Sequence, residues 1–262
     1  MKPPIHLKSL KNLLSGHKSQ KKKAFSFIEL SIVILVIGIL IAAIVSSVAI
    51  VSKFRISTAQ SLTVSSPVHR IADSVIWVES SSDKSFRSDE DEDESGLSVW
   101  HDLRESTNKR DAIQTTEAYE PVYSSGSING VQAVEFDGTN SYFTIPDASF
   151  LNGTDYTIFV LEKRGSNKAD NYFIGDSSSA NESSANENLT LGYSADGSIK
   201  HSHSSVTGNN YTSSVGNFES AGNLPRVFTF THNKHRGKET YVDGVLAAND
   251  TNNTSSLTGT TT

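Results

Sequence analysis

The sequence predicts one apolar helix of membrane-spanning length followed by an all-β sandwich. Three observations carry that prediction. Leu30 to Val51 is a run of 22 residues without a charge. Beyond residue 67, Gly, Ser, Asn, Asp and Thr recur every few residues with short β-rich runs between them, the pattern of many closely spaced strands. Charge is also segregated. The first 24 residues hold seven lysines and no acid, leaving 16 basic and 29 acidic residues for the rest of a chain whose net charge is −6. That balance excludes a basic, nucleic-acid-coating protein, so no nucleic-acid partner is expected. With no cysteine among 262 residues, a disulfide scaffold, a cysteine–zinc site and a thiol nucleophile are all excluded.

Taken in order, residues 1–24 read as a basic leader and residues 25–56 as the apolar helix. A helix over Leu30–Val51 is about 33 Å long, enough to cross a bilayer core of about 30 Å. Ile and Val are mediocre helix formers in water, but in lipid the backbone must satisfy its own hydrogen bonds. The lysines precede the run, which places the N-terminus in the cytoplasm and everything after Val51 outside. Lys53-Phe54-Arg55 suits the outer membrane interface. Residues 57–67 read as a polar linker or hinge closed by Pro67, which biases Ser66 toward an extended form.

Residues 68–262 read as the sandwich. Strands are expected at Ser74–Val78, Gly96–His101, Gln132–Asp137, Ser141–Ile145, Tyr156–Lys163, Tyr172–Gly175, Asn188–Tyr193, Ser198–His203, Arg226–His232, Glu239–Val242 and Val245–Asn249. Val242-Asp243-Gly244-Val245 is a hairpin signal, an Asp-Gly turn between apolar residues. Asp137-Gly138 and Asp196-Gly197 are turns of the same kind.

Lys21-Lys22-Lys23-Ala24-Phe25-Ser26-Phe27-Ile28-Glu29-Leu30 sets charge, small residue, aromatic, acid and apolar run in one order. An acid at the edge of an apolar segment is costly and calls for a partner. The segment, over about residues 18 to 51, resembles the prepilin signal of type IV pilins and type II secretion pseudopilins. The resemblance implies cleavage between Ala24 and Phe25 by a prepilin peptidase, methylation of the new amine, and Glu29 as the assembly carboxylate that neutralises the Phe25 amine of a neighbouring subunit. That family usually has Gly before the cut; here it is Ala24. Gly38, Ala42 and Ala43 offer a small-residue face for close helix packing. The partners implied are the peptidase, other pilin subunits and the bacterial inner membrane. Left uncleaved, the same segment would be a permanent signal anchor.

A second resemblance covers roughly 170 residues. Ser74-Val75-Ile76-Trp77-Val78, Val99-Trp100-His101-Asp102, the stretch from Asn129 to Gly138, Asp155 to Val160, Phe228-Thr229-Phe230 and Tyr241-Val242-Asp243-Gly244 follow one another as in the laminin G-like, concanavalin A-like jelly roll. It implies a binding role toward carbohydrate or a surface protein. It also implies closing strands that the sequence does not contain, as expected of a fragment.

Candidate chemistry is sparse, and no enzymatic activity is expected. Asp89 to Glu94 is an unbroken acidic run whose carboxylates suit calcium, but it lacks the glycine of an EF-hand loop and reads as a solvated, self-repelling segment. No pair of carboxylates about 5 Å apart can be assembled from the strands for glycoside hydrolysis. His201 and His203 fall on one face of a strand and, with His232 and His235, could begin a zinc site, but surface histidines are the expectation. Trp77 and Trp100 are expected to pack. Tyr123, Tyr142, Tyr193 and Tyr211 are candidates for a carbohydrate or protein contact surface.

Overall fold

The structure, a computed structural model, describes residues 26–166, 171–175, 189–194, 197–203, 210–213, 224–252 and 254–258. It consists of one N-terminal apolar helix followed by a mostly β region built of antiparallel sheets. The helix, α1 (Phe27–Ser65), has 39 residues. A capping box starts it: the Glu29 carboxylate accepts from the Ser26 backbone N–H at 2.8 Å while the Ser26 hydroxyl accepts from Ile28 N. The hydroxyls of Ser31 and Ser47 donate to the carbonyls four residues back, both at 2.7 Å. Ser31 and Ser47 thus find partners within their own helix.

The expected linker at 57–67 is corrected: the helix continues through Ser65. Extending a helix adds a hydrogen bond for each residue fixed, whereas only the first turn is costly, so a Ser/Thr-rich stretch attached to a long helix follows it. Tertiary contacts hold it too. Ile56, Ala59, Gln60 and Thr63, spaced along one helix face, are half-buried. Gln60 Nε2 donates to Asp83 at 2.8 Å, and the Thr63 and Ser81 hydroxyls are 3.2 Å apart. Two compact units divide the chain after Val51, so residues 52–65 belong with the β-rich body. Pro67 does stop the helix: Ser66 is extended at φ −61° and ψ 142°, and its hydroxyl caps Val68 N.

Twelve strands follow: β1 (Val99–Trp100), β2 (Ala112–Ile113), β3 (Val122–Ile128), β4 (Val131–Glu135), β5 (Tyr156–Glu162), β6 (Asn171–Ile174), β7 (Thr190–Tyr193), β8 (Ile199–Ser202), β9 (Asn210–Ser213), β10 (Arg226–Asn233), β11 (Gly237–Val242) and β12 (Val245–Asp250). Eight of the expected strands, from Gln132–Asp137 onward, are present with small shifts of boundary. Ser74–Val78 and Ser141–Ile145 are not strands. Their backbone groups are taken elsewhere: Trp77 N donates to Asp102 and Trp77 O accepts from Leu103 N, while Thr144 makes an isolated bridge to Ile113. Gly96–His101 shrinks to β1 plus a bridge from Gly96 to Val122. The sequence reading missed β2, β3 and β9.

Turn chemistry explains the hairpins. Asp243 and Gly244, at φ 50° and 79°, make the two-residue turn between β11 and β12. Asn129 and Gly130, at φ 54° and 80°, do the same between β3 and β4. Asp137-Gly138 instead forms a local loop, in which the Asp137 carboxylate accepts from the backbone N–H groups of Thr139, Asn140 and Ser141.

Two four-stranded antiparallel sheets, β12-β11-β10-β5 and β6-β7-β8-β9, send side chains into one core. Leu191, Tyr193, Ile199, Phe228 and Phe230 are buried there, with Ile158, Val160 and Phe173 against them. Gly192, at φ 148°, is required in β7, since a Cβ would lie 2.5 Å from the Tyr172 Cα. After β12 the chain turns back. Leu257 is fully buried in this core, and Gly153 N donates to its carbonyl at 2.8 Å.

Candidate functional site

Two places in the molecule invert the ordinary distribution of side chains. The first is the helix. From Phe27 to Val51 every large apolar side chain that is described is about half exposed or more. It is the one described helix long and apolar enough to cross a membrane. Glu29 stands in its first turn, its carboxylate on the Ser26 N–H, where acids suit the positive end of the helix. Ala24 and Phe25, the expected cleavage and methylation site, lie outside the described residues.

The second is the interior of the β region. Facing rows of residues cross β5, β10 and β11: Val160, Phe228 and Val242; Ile158, Phe230 and Thr240; Tyr156, His232 and Lys238. Polarity rises along the rows. At the last one, His201 and His203 arrive from β8 and the residue after it. His201, His203, His232, Lys238 and Thr240 are all at most 2% exposed. The expectation of surface histidines is corrected for these three; His235 is exposed. The shared face of His201 and His203 is as expected, but it is the inward one.

Hydrogen-bond partners fix the tautomers. His203 Nδ1 lies 2.7 Å from the Ser255 carbonyl, which can only accept, so Nδ1 carries the proton. His203 Nε2 therefore accepts from the Tyr156 hydroxyl at 2.8 Å. Tyr156 Oη in turn accepts from His201 Nε2–H at 2.9 Å, leaving His201 Nδ1 to accept from Thr240 Oγ1 at 3.4 Å. The result is one directional chain, Thr240 to His201 to Tyr156 to His203 to the Ser255 carbonyl. His232 Nε2–H donates to the Thr254 carbonyl at 3.3 Å. Its Nδ1 and the Lys238 ammonium, on directly opposed residues of β10 and β11, have no hydrogen-bonding partner among the described residues.

Burial governs the charges. It pushes His203 down to about 3, with the Lys238 charge adding to it and the Ser255 carbonyl opposing. His201 is pushed well below the usual range, by burial first and then by Lys238 and the other two histidines. His232 is lowered by burial and Lys238, against the Thr254 and Thr154 carbonyls and Asp155. Lys238 falls to about 8 because it is buried; Asp250 works against that. At neutral pH the cluster holds three neutral rings and one cation.

The remaining candidates are dispersed. In the acidic run, Asp93 accepts from Ser125 N and Glu90 from Ser98, and Asp93 and Glu94 line a shallow cleft with Tyr123 and Glu135. Among the described residues no group of three or more His, Cys, Asp or Glu could hold a metal ion, so calcium has no described site there and zinc none at the histidines. Trp77 and Trp100 are half-buried, and Trp100 Nε1 donates to the Glu79 carbonyl at 2.8 Å. The tyrosines do not form one surface. Tyr193 is in the core and Tyr123 packs edge-on to Phe86, while Tyr142 is exposed beside Tyr119 with ring centroids 5.8 Å apart. The side chain of Tyr211 lies outside the described residues.

Sequence reasoning named Asp102 only as part of the jelly-roll resemblance, with no role of its own, and missed Lys238 altogether. Asp102, 1% exposed, accepts from Trp77 N, Arg104 N and Arg110 N and pairs with the Arg104 guanidinium at 2.6 Å. Burial works to raise its carboxyl, but the Arg104 guanidinium and those N–H groups outweigh it and hold the group low. Asp102 ties the loops before β1 and β2 together. Comparison with family models, with curated proteins and with solved structures found no match to this chain.

Proposed function

We propose that the chain is a pilin-like subunit, cleaved before Phe25 and assembled through its N-terminal helix into a type IV pilus or a type II secretion pseudopilus. The observation that carries this is the start of α1: a basic leader, then Ser26 as cap, Glu29 in the first turn, and an exposed apolar face from Phe27 to Val51. A helix with no apolar partner of its own is suited first to lipid and then to copies of itself. Among the described residues Glu29 accepts from the adjacent Ser26 N–H, an exchangeable contact. In a filament its carboxylate would meet the Phe25 amine of a neighbour, a pairing that sets axial register more than affinity.

The β region, in this reading, is a laminin G-like, concanavalin A-like recognition domain outside the inner membrane. Two antiparallel sheets on one core support that reading. Tyr119 and Tyr142, both exposed, provide an aromatic surface for a carbohydrate or a surface protein. A domain of this bulk fits a minor or tip subunit. The second reading is an uncleaved, membrane-anchored lectin-like protein, favoured by Ala24 standing where the family usually has Gly.

Intact mass and N-terminal sequencing of the membrane-extracted chain, expressed with and without a prepilin peptidase, separate the two. A mature chain beginning at methylated Phe25 only with the peptidase supports the pilin reading. A chain that still begins at Met1 with the peptidase present rules it out in favour of the anchored protein.

A further inference from the structure

We propose that Thr254–Leu257 is an acid-sensitive strap, which closes the polar end of the two-sheet core and leaves it when the histidines beneath take up protons. Among the described residues the following ties join the strap to the rest of the chain. Leu257 fills the core and accepts from Gly153 N, and Asn152 forms one isolated bridge to it. The rest is held by side chains. His203 donates to the Ser255 carbonyl and His232 to the Thr254 carbonyl. Every other element around the cluster is locked into an antiparallel ladder.

Each holding histidine has its second nitrogen turned inward, and there burial and the Lys238 charge oppose a second proton. His203 Nε2 is the acceptor for the Tyr156 hydroxyl; a proton on it would turn the Tyr156 O–H away and take from that hydrogen the acceptor it has. His232 Nδ1 makes no hydrogen bond among the described residues and sits opposite Lys238; the Thr154 carbonyl and Asp155 favour its proton, but burial and Lys238 outweigh them. The surrounding groups come from every packed element. β5 contributes Tyr156, preceded by Asp155; β8 and the residue after it contribute His201 and His203; β10 contributes His232 and β11 Lys238. β12 ends in Asp250, the cross-strand partner of Lys238. The strap residues Thr254 and Ser255 offer only carbonyls to this cluster, so they bring no negative charge to compensate.

The sign follows from linkage. With folded values below the unfolded value of about 6.5, the closed state binds fewer protons than the open one. Closure is therefore fully favoured above about pH 6.5 and is lost as the pH falls toward the folded values. The loss is about tenfold in the opening constant per pH unit for each histidine released. Asp155 moderates this at His232, and the Ser255 carbonyl does so at His203. The strap opens first because its removal hydrates both rings while leaving the ladders intact.

Hydrogen exchange on the full chain in detergent micelles, corrected for intrinsic rates, tests this without altering the protein. Between pH 7 and pH 5 the amides of Gly153 and of residues 254–258 are expected to lose at least tenfold in protection, while Phe228 and Phe230 in β10 keep theirs. His203→Gln retains a donor for the Ser255 carbonyl but cannot ionise, and should reduce the loss by at least threefold. Lys238→Met should also reduce it, since without the cation the closed-state histidines are easier to protonate. Protection that does not change with pH would overturn the proposal, as would an equal loss at Phe228 and Phe230, which would mean the whole core opens. An undiminished loss in both variants would also overturn it.

Discussion

The helix and the two-sheet core depart from the usual arrangement in opposite directions. From Phe27 to Val51 α1 turns its Ile, Leu and Val outward, and in the core the β sheets turn Lys238 and three histidines inward. The helix, as described, leaves these side chains exposed, and it is long and apolar enough to cross a membrane. The core has an apolar half in Phe228, Phe230, Leu191 and Ile199 that holds the sheets together. It can therefore carry a polar half that contributes little cohesion. An outward apolar residue and an inward polar one are both exceptions, but the first implies a partner and the second implies a tolerance.

The largest expected effect tests the apolar half. Phe230→Ala should destabilise the β region by about 3–5 kcal/mol in urea unfolding of the detergent-extracted chain. A cost under about 1 kcal/mol would show that Phe230 does not hold the sheets. Next comes the helix. Ile37→Lys puts a charge near the centre of the apolar run and should cost about 2.5–3.5 kcal/mol of insertion free energy. A membrane-insertion assay with the body unchanged reads this directly. Unimpaired insertion would mean the exposed face is not made for lipid.

These two regions were not equally legible in the sequence. Leu30–Val51 announces itself because an uninterrupted apolar run needs no periodicity to interpret. Where it stopped was harder. Residues 57–65 look weakly helical by propensity, and only the half-buried face of Ile56, Ala59, Gln60 and Thr63 shows why they stay helical. In the sheets, alternation put His201 and His203 on one side of a strand but could not say which side is buried. When the residue between them, Ser202, is buried too, polarity points nowhere. Lys238 gave no signal, because an isolated lysine in a strand reads as exposed. The β3–β4 hairpin was legible and overlooked: Asn129-Gly130 is the strongest two-residue turn signal there is, beside the Gly126 that weakens β3 as a strand. Asp102 draws its partners from Trp77, Arg104 and Arg110, so its role exists only after folding.

Lys238 sharpens the comparison with an effect of the opposite sign. Lys238→Met replaces a buried ammonium with no hydrogen-bonding partner among the described residues by an apolar chain of similar length. It should stabilise the β region at pH 7 by about 1–3 kcal/mol. The pH dependence supplies a check. The folded value near 8 lies below the unfolded 10.5, so between those limits the unfolded chain binds more protons. Stability of the unaltered chain should therefore rise with pH across that window, by up to about 1.4 kcal/mol per unit, and the variant should lack this rise. If Lys238→Met proved destabilising, the ammonium would have a partner outside the described residues.

The smallest effect lies where helix and body meet within one unit. Gln60 Nε2 reaches Asp83, and Thr63 reaches Ser81. Both are side-chain contacts at a half-wet surface, each worth about 0.5–1.5 kcal/mol. Gln60→Ala should cost the body under about 1 kcal/mol while leaving insertion of the Phe27–Val51 segment unchanged. That separation is the point of the measurement. The two regions share one continuous helix, yet its first part depends on what surrounds it and its last part on what it touches. If Gln60→Ala impaired insertion as well, the division after Val51 would not be an energetic boundary, and the helix and body would have to be treated as a single cooperative unit.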